Sequence, residues 1–497
     1  MTARPRRDNL EGEASWKELL LAFVLLAIGY AFLDFLLIPS NRLVLHPLHH
    51  DDYTNLARSF ATIGLGPPRP VSTLAIALLS TAGPRTYYLT LNLLTILYPA
   101  LVFYFLARLF RRVAGPFPIA VAAALLLALP HSVEWAKYTG LITSLLSGVF
   151  GTLALILIAQ ALRGEAETAA AWGGVAFYAL SIFSKEDFAL PGLLLVLFCL
   201  TERGARRPRA WAILGAVLLC ILALFVYNAH YQSPFTSLAA AGPYQVQLRP
   251  SSVASVLRRY FTFTPLVTGV LVLLGVSATF AALTCRECRR PLLLTVGIIG
   301  SLIAPYSLLP NHFAGYYAYG WLAWEAGLIC VCIVLLAERF PRAIVYASFA
   351  LIALLALWRT QAERKAIVEW YARESILNEQ IVKTLIQNRA AISRAAEVGV
   401  VGIEGLSPWS HSAGDYLRNR LGFRNRWIVF VPKSDMFYSL DGPPASPDSV
   451  VQVRPLWELP RWPNLPVLFF DQAGSARLNH YASGAEAESL QGRDGHR

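Results

Sequence analysis

WKELLLAFVLLAIGYAFLDFLLI, residues 16–38, is long enough to cross a bilayer core, which takes about 20 apolar residues in a helix. It follows a basic tail, residues 1–15, with Arg4, Arg6 and Arg7. The run is too long for the apolar part of a signal peptide, and no small-residue cleavage site follows it, so an uncleaved first span is expected. Just beyond it comes HPLHHDDYTNLAR, residues 46–58, with the adjacent carboxylates Asp51 and Asp52. Ionised side chains are expensive beside lipid unless something uses them, which makes this pair a candidate site.

The rest of the chain has the same character. Of its 497 residues 56% are hydrophobic and only 15% charged, and the mean hydropathy is +0.48, too apolar for a soluble protein of this length. Further apolar runs centre on Leu97, Ala124, Leu153, Tyr178, Leu195, Leu219, Leu273, Ile299, Ile329 and Leu351. The expectation is an α-helical polytopic membrane protein of about 11 transmembrane helices, residues 16–358. The stretch Val71 to Ala82 reads equally as an interfacial helix.

Alternate connections are rich in arginine: Arg108, Arg111 and Arg112, then Arg163, then Arg203, Arg206, Arg207 and Arg209, then Arg286, Arg289 and Arg290, then Arg339 and Arg342. Short basic loops stay cytoplasmic, so the N-terminus is expected inside and the C-terminal part outside. The net charge of +12 is then an orientation signal, and no nucleic-acid partner is expected. With this topology Asp51, Asp52, His131, Glu134, Lys137, Lys185, Glu186, Asp187, Asn311 and His312 share the outer face, as one outward-facing site requires. All six cysteines fall in spans or on the inner side, and none suggests an extracytoplasmic disulfide. Cys285 and Cys288 have CxxC spacing, but no second pair completes a zinc site.

After Trp358 the composition turns soluble. A helix is expected over 363–396, where Ile367, Tyr371, Ile381 and Leu385 recur at helical spacing, and β-like runs at 398–403, 427–431 and 466–470. With a helix at 415–421 these predict a small α/β extracytoplasmic domain, residues 359–473, and a disordered tail, residues 474–497.

Three motifs together resemble a family. HHDDYTNLARSF (49–60) is an acidic pair in the first outer loop, residues 39–85; FYALSIFSKEDFALPGLLLVLF (177–198) is a Ser-Lys-Glu segment before a proline-containing apolar helix; LLPNHFAGYYAYG (308–320) is a loop with a His and several Tyr. The chain resembles the membrane glycosyltransferases of the GT-C superfamily, notably protein O-mannosyltransferase-like members. It departs in having Asp-Asp where many have Asp-Glu, and no tetratricopeptide repeats.

The resemblance implies transfer of a sugar from a polyprenyl phosphate to an acceptor hydroxyl at the outer face of a membrane, with inversion. The acceptor is a lipid, a polysaccharide or a protein. Asp51 or Asp52 would serve as general base, since an alcohol is a weak nucleophile. Cations must stabilise the leaving phosphate, and Lys185 is the first choice, with Arg69 and Arg259 behind it. Glu186, His312, His131, Glu134 and Tyr138 complete the expected donor site. No cofactor is expected; His49 and His50 with Asp51 offer the donor types for a divalent cation, but many similar enzymes work without metal. Arginine- and alanine-rich usage suggests a bacterial inner membrane.

Plainer readings exist for each residue. Asp51 and Asp52 suit the N-terminus of a helix starting near Tyr53, Lys185 and Glu186 a local boundary pair, and Trp135 and Tyr138 an interfacial belt. The competing functions are a transporter or flippase, which would show paired repeats that this sequence lacks, and a noncatalytic subunit that kept the fold.

Overall fold

The computed structural model describes residues 16–32, 69–111, 115–129, 132, 141–201, 207–230, 247–262, 269, 275–276, 285–309, 315–403, 409, 414–419, 421–431, 451–462, 464–470 and 476–480. Its helices are α1 (Trp16–Ala31), α2 (Pro70–Ala82), α3 (Pro84–Leu109), α4 (Pro116–Ala128), α5 (Ile142–Arg163), α6 (Thr168–Ser184) and α7 (Ala189–Thr201). They continue with α8 (Arg207–His230), α9 (Pro250–Thr262), α10 (Arg289–Ser307), α11 (Tyr319–Ala337), α12 (Arg342–Gln387), the short α13 (Arg389–Ile392) and α14 (Gly414–Asn419).

Six of the described helices are long and apolar enough to cross a membrane: Thr86–Leu109, Ile142–Arg163, Pro208–His230, Arg286–Ser307, Tyr319–Ala337 and Arg342–Trp370. The molecule is a helical membrane protein. Other expected spans are helices too: α4 has 13 residues and α6 has 17, and the described part of α7 has 13. At 1.5 Å per residue, 13 residues extend about 20 Å, less than the ~30 Å of a hydrocarbon core. Hydropathy registers an apolar run but not where the helix inside it stops. The run at Leu273 lies mostly outside the described residues.

The core follows from sequence order. α5 and α6 form the most extensive helix pair, α3 packs along α5, and α11 lies against α3 and α4. Gly327 of α11 lets the pair close, because a Cβ there would stand 2.7 Å from the Leu106 side chain of α3. Trp321 and Trp324 of α11 are fully buried.

The arginine-rich connections meet at one end of this bundle. Arg108 pairs with Glu165 at 2.9 Å, Arg209 donates to the Ala161 carbonyl at 3.1 Å, and Arg290 donates to the Thr201 carbonyl at 3.4 Å. Each cation sits at the C-terminal end of a helix, where carbonyls lack intrahelical donors. Cys285 and Cys288, whose CxxC spacing was weighed only for metal, form a disulfide beside this end. One 3₁₀ turn brings their Cα atoms to 5.3 Å, within bridging range.

The helix expected to begin near residue 363 does not start afresh. α12 runs unbroken for 46 residues, through the expected boundary at 358, from the bundle to a C-terminal sheet. That sheet has β1 (Glu397–Val401), β2 (Arg426–Val431), β3 (Val451–Pro455), β4 (Pro466–Phe470) and β5 (Ala476–His480) in the order 3-2-1-4-5. β1 to β4 are parallel and β5 is antiparallel to β4, with Leu468 opposite Leu478. Buried on both faces, β1 and β2 read as continuous apolar runs. One face packs on Ile381 and Leu385 of α12, the other on Leu456 and Leu459. β5 lies inside the segment expected to be a disordered tail.

Candidate functional site

At the end of the bundle away from the arginines, the chain breaks its helix at the segment that the sequence singled out. α6 stops at Ser184, and Lys185 is extended at φ −164°, ψ 143°. Glu186–Phe188 make one 3₁₀ turn and α7 starts at Ala189, with Pro191 in the first turn, where a missing N–H goes unnoticed.

The carbonyls released at this break are taken by neighbours. Ser72 of α2 donates to the Ser184 carbonyl at 2.7 Å, Ser147 of α5 to the Lys185 carbonyl at 2.8 Å, and Tyr178 to the Ala189 carbonyl at 2.7 Å. Close approach needs small residues on α5. A Cβ on Gly151 would stand 2.2 Å from the Phe188 ring, so only glycine admits the turn at this depth.

The turn carries three charges in succession, and they pair in a crossed pattern. Glu186 accepts two bonds from Arg69, at 2.9 Å from Nη2 and 3.4 Å from Nε. Lys185 skips its neighbour and pairs with Asp187, Nζ to Oδ2 at 3.2 Å. Lys185 Nζ also donates to Ser144 Oγ at 2.7 Å and bonds the Tyr306 hydroxyl, which donates to Asp187 at 3.0 Å. Two cations and two anions therefore balance, drawn from the start of α2 and the α6–α7 turn, with the Ser144 hydroxyl of α5 and the Tyr306 hydroxyl of α10 as neutral partners.

Aromatic rings wall the ammonium. Lys185 Nζ lies 4.9 Å from the Tyr306 ring centroid and 5.1 Å from that of Tyr317, and the two rings stack at 4.8 Å. The ammonium meets Tyr306 at its hydroxyl edge, so of the two rings Tyr317 is the one whose face can attract the charge. Trp321 leans on Tyr306 and meets Tyr260 of α9 edge-on.

The environment acts differently on the three groups. Burial pulls the Lys185 ammonium below the ordinary lysine range, an effect only partly offset by Asp187. Burial also acts against the charges on Glu186 and Arg69, but each outweighs it for the other. Glu186 is held below the usual carboxylate range and Arg69 is pushed up.

The structure thus brings together three of the expected residues, Arg69, Lys185 and Glu186. Arg259 is not among the groups that hold them: it stands on an exposed face of α9, beside the buried Tyr260. One helical face of α9 turns inward, and the tyrosine occupies it. Asp51, Asp52, His49, His50, His131, Glu134, Tyr138 and His312 lie outside the described residues. Sequence reasoning missed Tyr306 and Ser144, singled out Tyr317 only as one of several tyrosines in 308–320, and gave Asp187 no role. A tyrosine following Pro305 at the end of an apolar helix was the available signal for Tyr306. Among the described residues no group of three His, Cys, Asp or Glu side chains gathers as metal ligands.

A second polar anchor lies at the end of α4. Buried Arg364 of α12 donates to the Leu127 carbonyl and, at 2.7 Å, to Ser132 Oγ, next to the expected site residue His131.

Comparison with protein-family models and with curated proteins finds no match. The resemblance to GT-C enzymes therefore rests on the residues themselves.

Proposed function

We propose that this chain is an integral membrane glycosyltransferase of GT-C type, moving a sugar from a polyprenyl-phosphate donor to an acceptor hydroxyl. The observation that supports this reading best is the partly buried quartet of Arg69, Glu186, Lys185 and Asp187 at the end of the bundle opposite the arginines. If the arginine end is cytoplasmic, the quartet and the C-terminal sheet face outward, the side assigned to transfer.

The four residues divide the work. Lys185 and Asp187 are the enclosed pair, with side chains 6% and 12% exposed; Arg69 and Glu186 are 25% and 24% exposed. Arg69 is the cation that an arriving phosphate meets, and its planar fork suits two phosphate oxygens as it suits the Glu186 carboxylate. Lys185 and Asp187 fix the turn that presents Glu186. As the bond from sugar to phosphate breaks, charge grows on the leaving phosphate and the guanidinium stabilises it. Asp51 or Asp52, in the same connection as Arg69, takes the acceptor proton while the hydroxyl attacks the anomeric carbon from the opposite face. The stacked tyrosines offer a surface for the sugar.

The test is sugar transfer in membranes supplied with radiolabelled polyprenyl-phosphate sugars, comparing the native chain with Asp51→Asn, Asp52→Asn and Arg69→Met at matched expression. Loss of transfer in one aspartate variant and in Arg69→Met is expected. Undiminished transfer in all three, or no transfer from any donor, overturns the reading.

One observation favours transport instead. Glu325 is 2% exposed in the middle of α11, and its Oε2 has no hydrogen-bond partner among the described residues. Intramembrane carboxylates of this kind mark ion and proton paths.

A further inference from the structure

We propose that Cys285 and Cys288 are a thiol–disulfide exchange site, opened and closed by thiol compounds at the arginine-rich end of the bundle, and not a permanent staple. This site is separate from the quartet and does not rest on the transferase reading.

The bond is badly placed for a staple. A disulfide stabilises a fold by joining segments that lie apart in the chain, and its effect grows with the loop it closes. Cys285 and Cys288 are only three positions apart, and the 3₁₀ turn between them already closes through the Cys288 N–H, bonded to the Cys285 carbonyl at 3.1 Å. The start of α10 is also held without the bond. Arg290 donates to the Thr201 carbonyl at the end of α7, and the Cys288 and Leu292 side chains lie buried in the core. Among the described residues no third His, Cys, Asp or Glu side chain joins the two sulfurs as a metal ligand.

What the turn supplies is a pair of unequal sulfurs. Cys285 is half-buried, whereas Cys288 is 3% exposed. Arg286, Glu287, Arg289 and Arg290 beside them are exposed, so a water-borne thiol reaches the turn at the head of the span Arg286–Ser307. Cys288 stands at the N-cap of the 19-residue α10, where the helix dipole favours negative charge. These positions divide the exchange between the two. A thiolate of the reductant attacks Cys285 Sγ, forming a mixed disulfide; the bond to Cys288 breaks, and its electron pair leaves on Cys288 Sγ, which takes up a proton. A second thiol, on the same reductant or another molecule of it, attacks the reductant's sulfur in the mixed disulfide and releases Cys285 as a thiol. Two electrons pass from the reductant to the pair, and an oxidised thiol compound runs the same steps backwards. If the arginine end is cytoplasmic, glutathione-type thiols and dithiol proteins are the compounds present there, and disulfides in that compartment are transient ones.

The experiment traps the thiol state of the full chain in intact cells. Cells are quenched in acid, free thiols are blocked with one maleimide, disulfides are reduced and labelled with a second, and each cysteine is read by peptide mass spectrometry. The turn is expected as a dithiol in growing cells, bridged after the thiol oxidant diamide is added, and a dithiol again after washout, while buried Cys330 and Cys332 keep one state throughout. In a second arm the purified chain in detergent meets oxidised glutathione. Cys288→Ser gains a glutathione on Cys285, and Cys285→Ser loses that uptake because its remaining sulfur is enclosed. The first arm uses the native chain and does not depend on either variant folding. The proposal is overturned if the turn stays bridged in growing cells, if it stays a dithiol under diamide, or if both variants take up glutathione alike.

Discussion

Lys185 Nζ and Asp187 Oδ2 lie 3.2 Å apart across a single intervening residue, whose own carboxylate turns away to Arg69. Because this pair is almost sealed from water, it is expected to behave as a unit. Removing one member of a buried pair strands the other charge and costs about 3–5 kcal/mol. Lys185→Met and Asp187→Leu should each destabilise by roughly that amount, and the double variant by much less than the sum. Unfolding in detergent, run as a double-mutant cycle, checks this; additive losses would mean the two charges are not coupled.

The same pair sets a pH limit. Lys185 loses its proton at a lower pH than an ordinary lysine. Its folded pKa is depressed, so the unfolded chain holds the proton over the window from the lowered value to the ordinary one, and stability rises with pH there. Activity goes the other way if the charge fixes the turn: transfer should fall through that window while the protein becomes no less stable. Lys185→Arg should move the fall upward. Glu186 works at the acid end, since its stabilisation is present above about pH 4.3, the unperturbed glutamate value, and disappears as pH drops through its lowered folded value. Rate and melting profiles measured side by side distinguish these trends.

The close contact between α5 and the turn gives a steric prediction. Gly151→Ala places a methyl 2.2 Å from the Phe188 ring, and overpacking of this kind costs about 1–3 kcal/mol. Adding Phe188→Leu to Gly151→Ala should recover part of the loss in thermal stability. Gly173 is a control, because the nearest atom to a Cβ there is at 3.9 Å and Gly173→Ala should be neutral.

How much of this was written in the sequence depends on distance along the chain. The apolar runs at Leu97, Leu153 and Ile329 announce α3, α5 and α11, because burial in lipid or helix demands apolar residues throughout. Runs at 398–403, 427–431 and 466–470 likewise announce β1, β2 and β4. β3 was not anticipated, since Val451 to Pro455 alternates polar and apolar residues with no dense run. Lys185 and Glu186 stood out as charges in an apolar stretch. Arg69 was a candidate as well, but the pairings were not legible, since Arg69 is 117 residues from Glu186 and Tyr306 is 121 from Lys185, and a single sequence carries no signal of such contacts.

Arg364 tests whether α12 supports the expected donor site. It is buried, and its guanidinium caps the end of α4 at the Leu127 carbonyl and Ser132. Arg364→Met leaves that carbonyl without this charge-assisted donor, a loss of about 1–3 kcal/mol. Sugar transfer should suffer through KM more than through kcat, because residues 131–138 are expected to hold the sugar and not to move its proton. Arg364→Lys should restore stability only in part, a single ammonium being a poor substitute for a fork with two acceptors.

Glu325 separates the transferase from the transporter. It lies in α11, and among the described residues it makes no hydrogen bond to the Lys185 quartet. A buried carboxyl with one oxygen unsatisfied among the described residues is a burden on the fold, and replacing it with an apolar group of similar volume removes the burden. Glu325→Leu should therefore raise thermal stability by about 1–3 kcal/mol and leave sugar transfer intact if the chain is a glycosyltransferase. If Glu325 is part of a proton or ion path, the same substitution should abolish flux in proteoliposomes, and the gain in stability would then be the cost that function imposes on the native sequence. Measuring transfer and flux on one preparation gives opposite answers for the two functions.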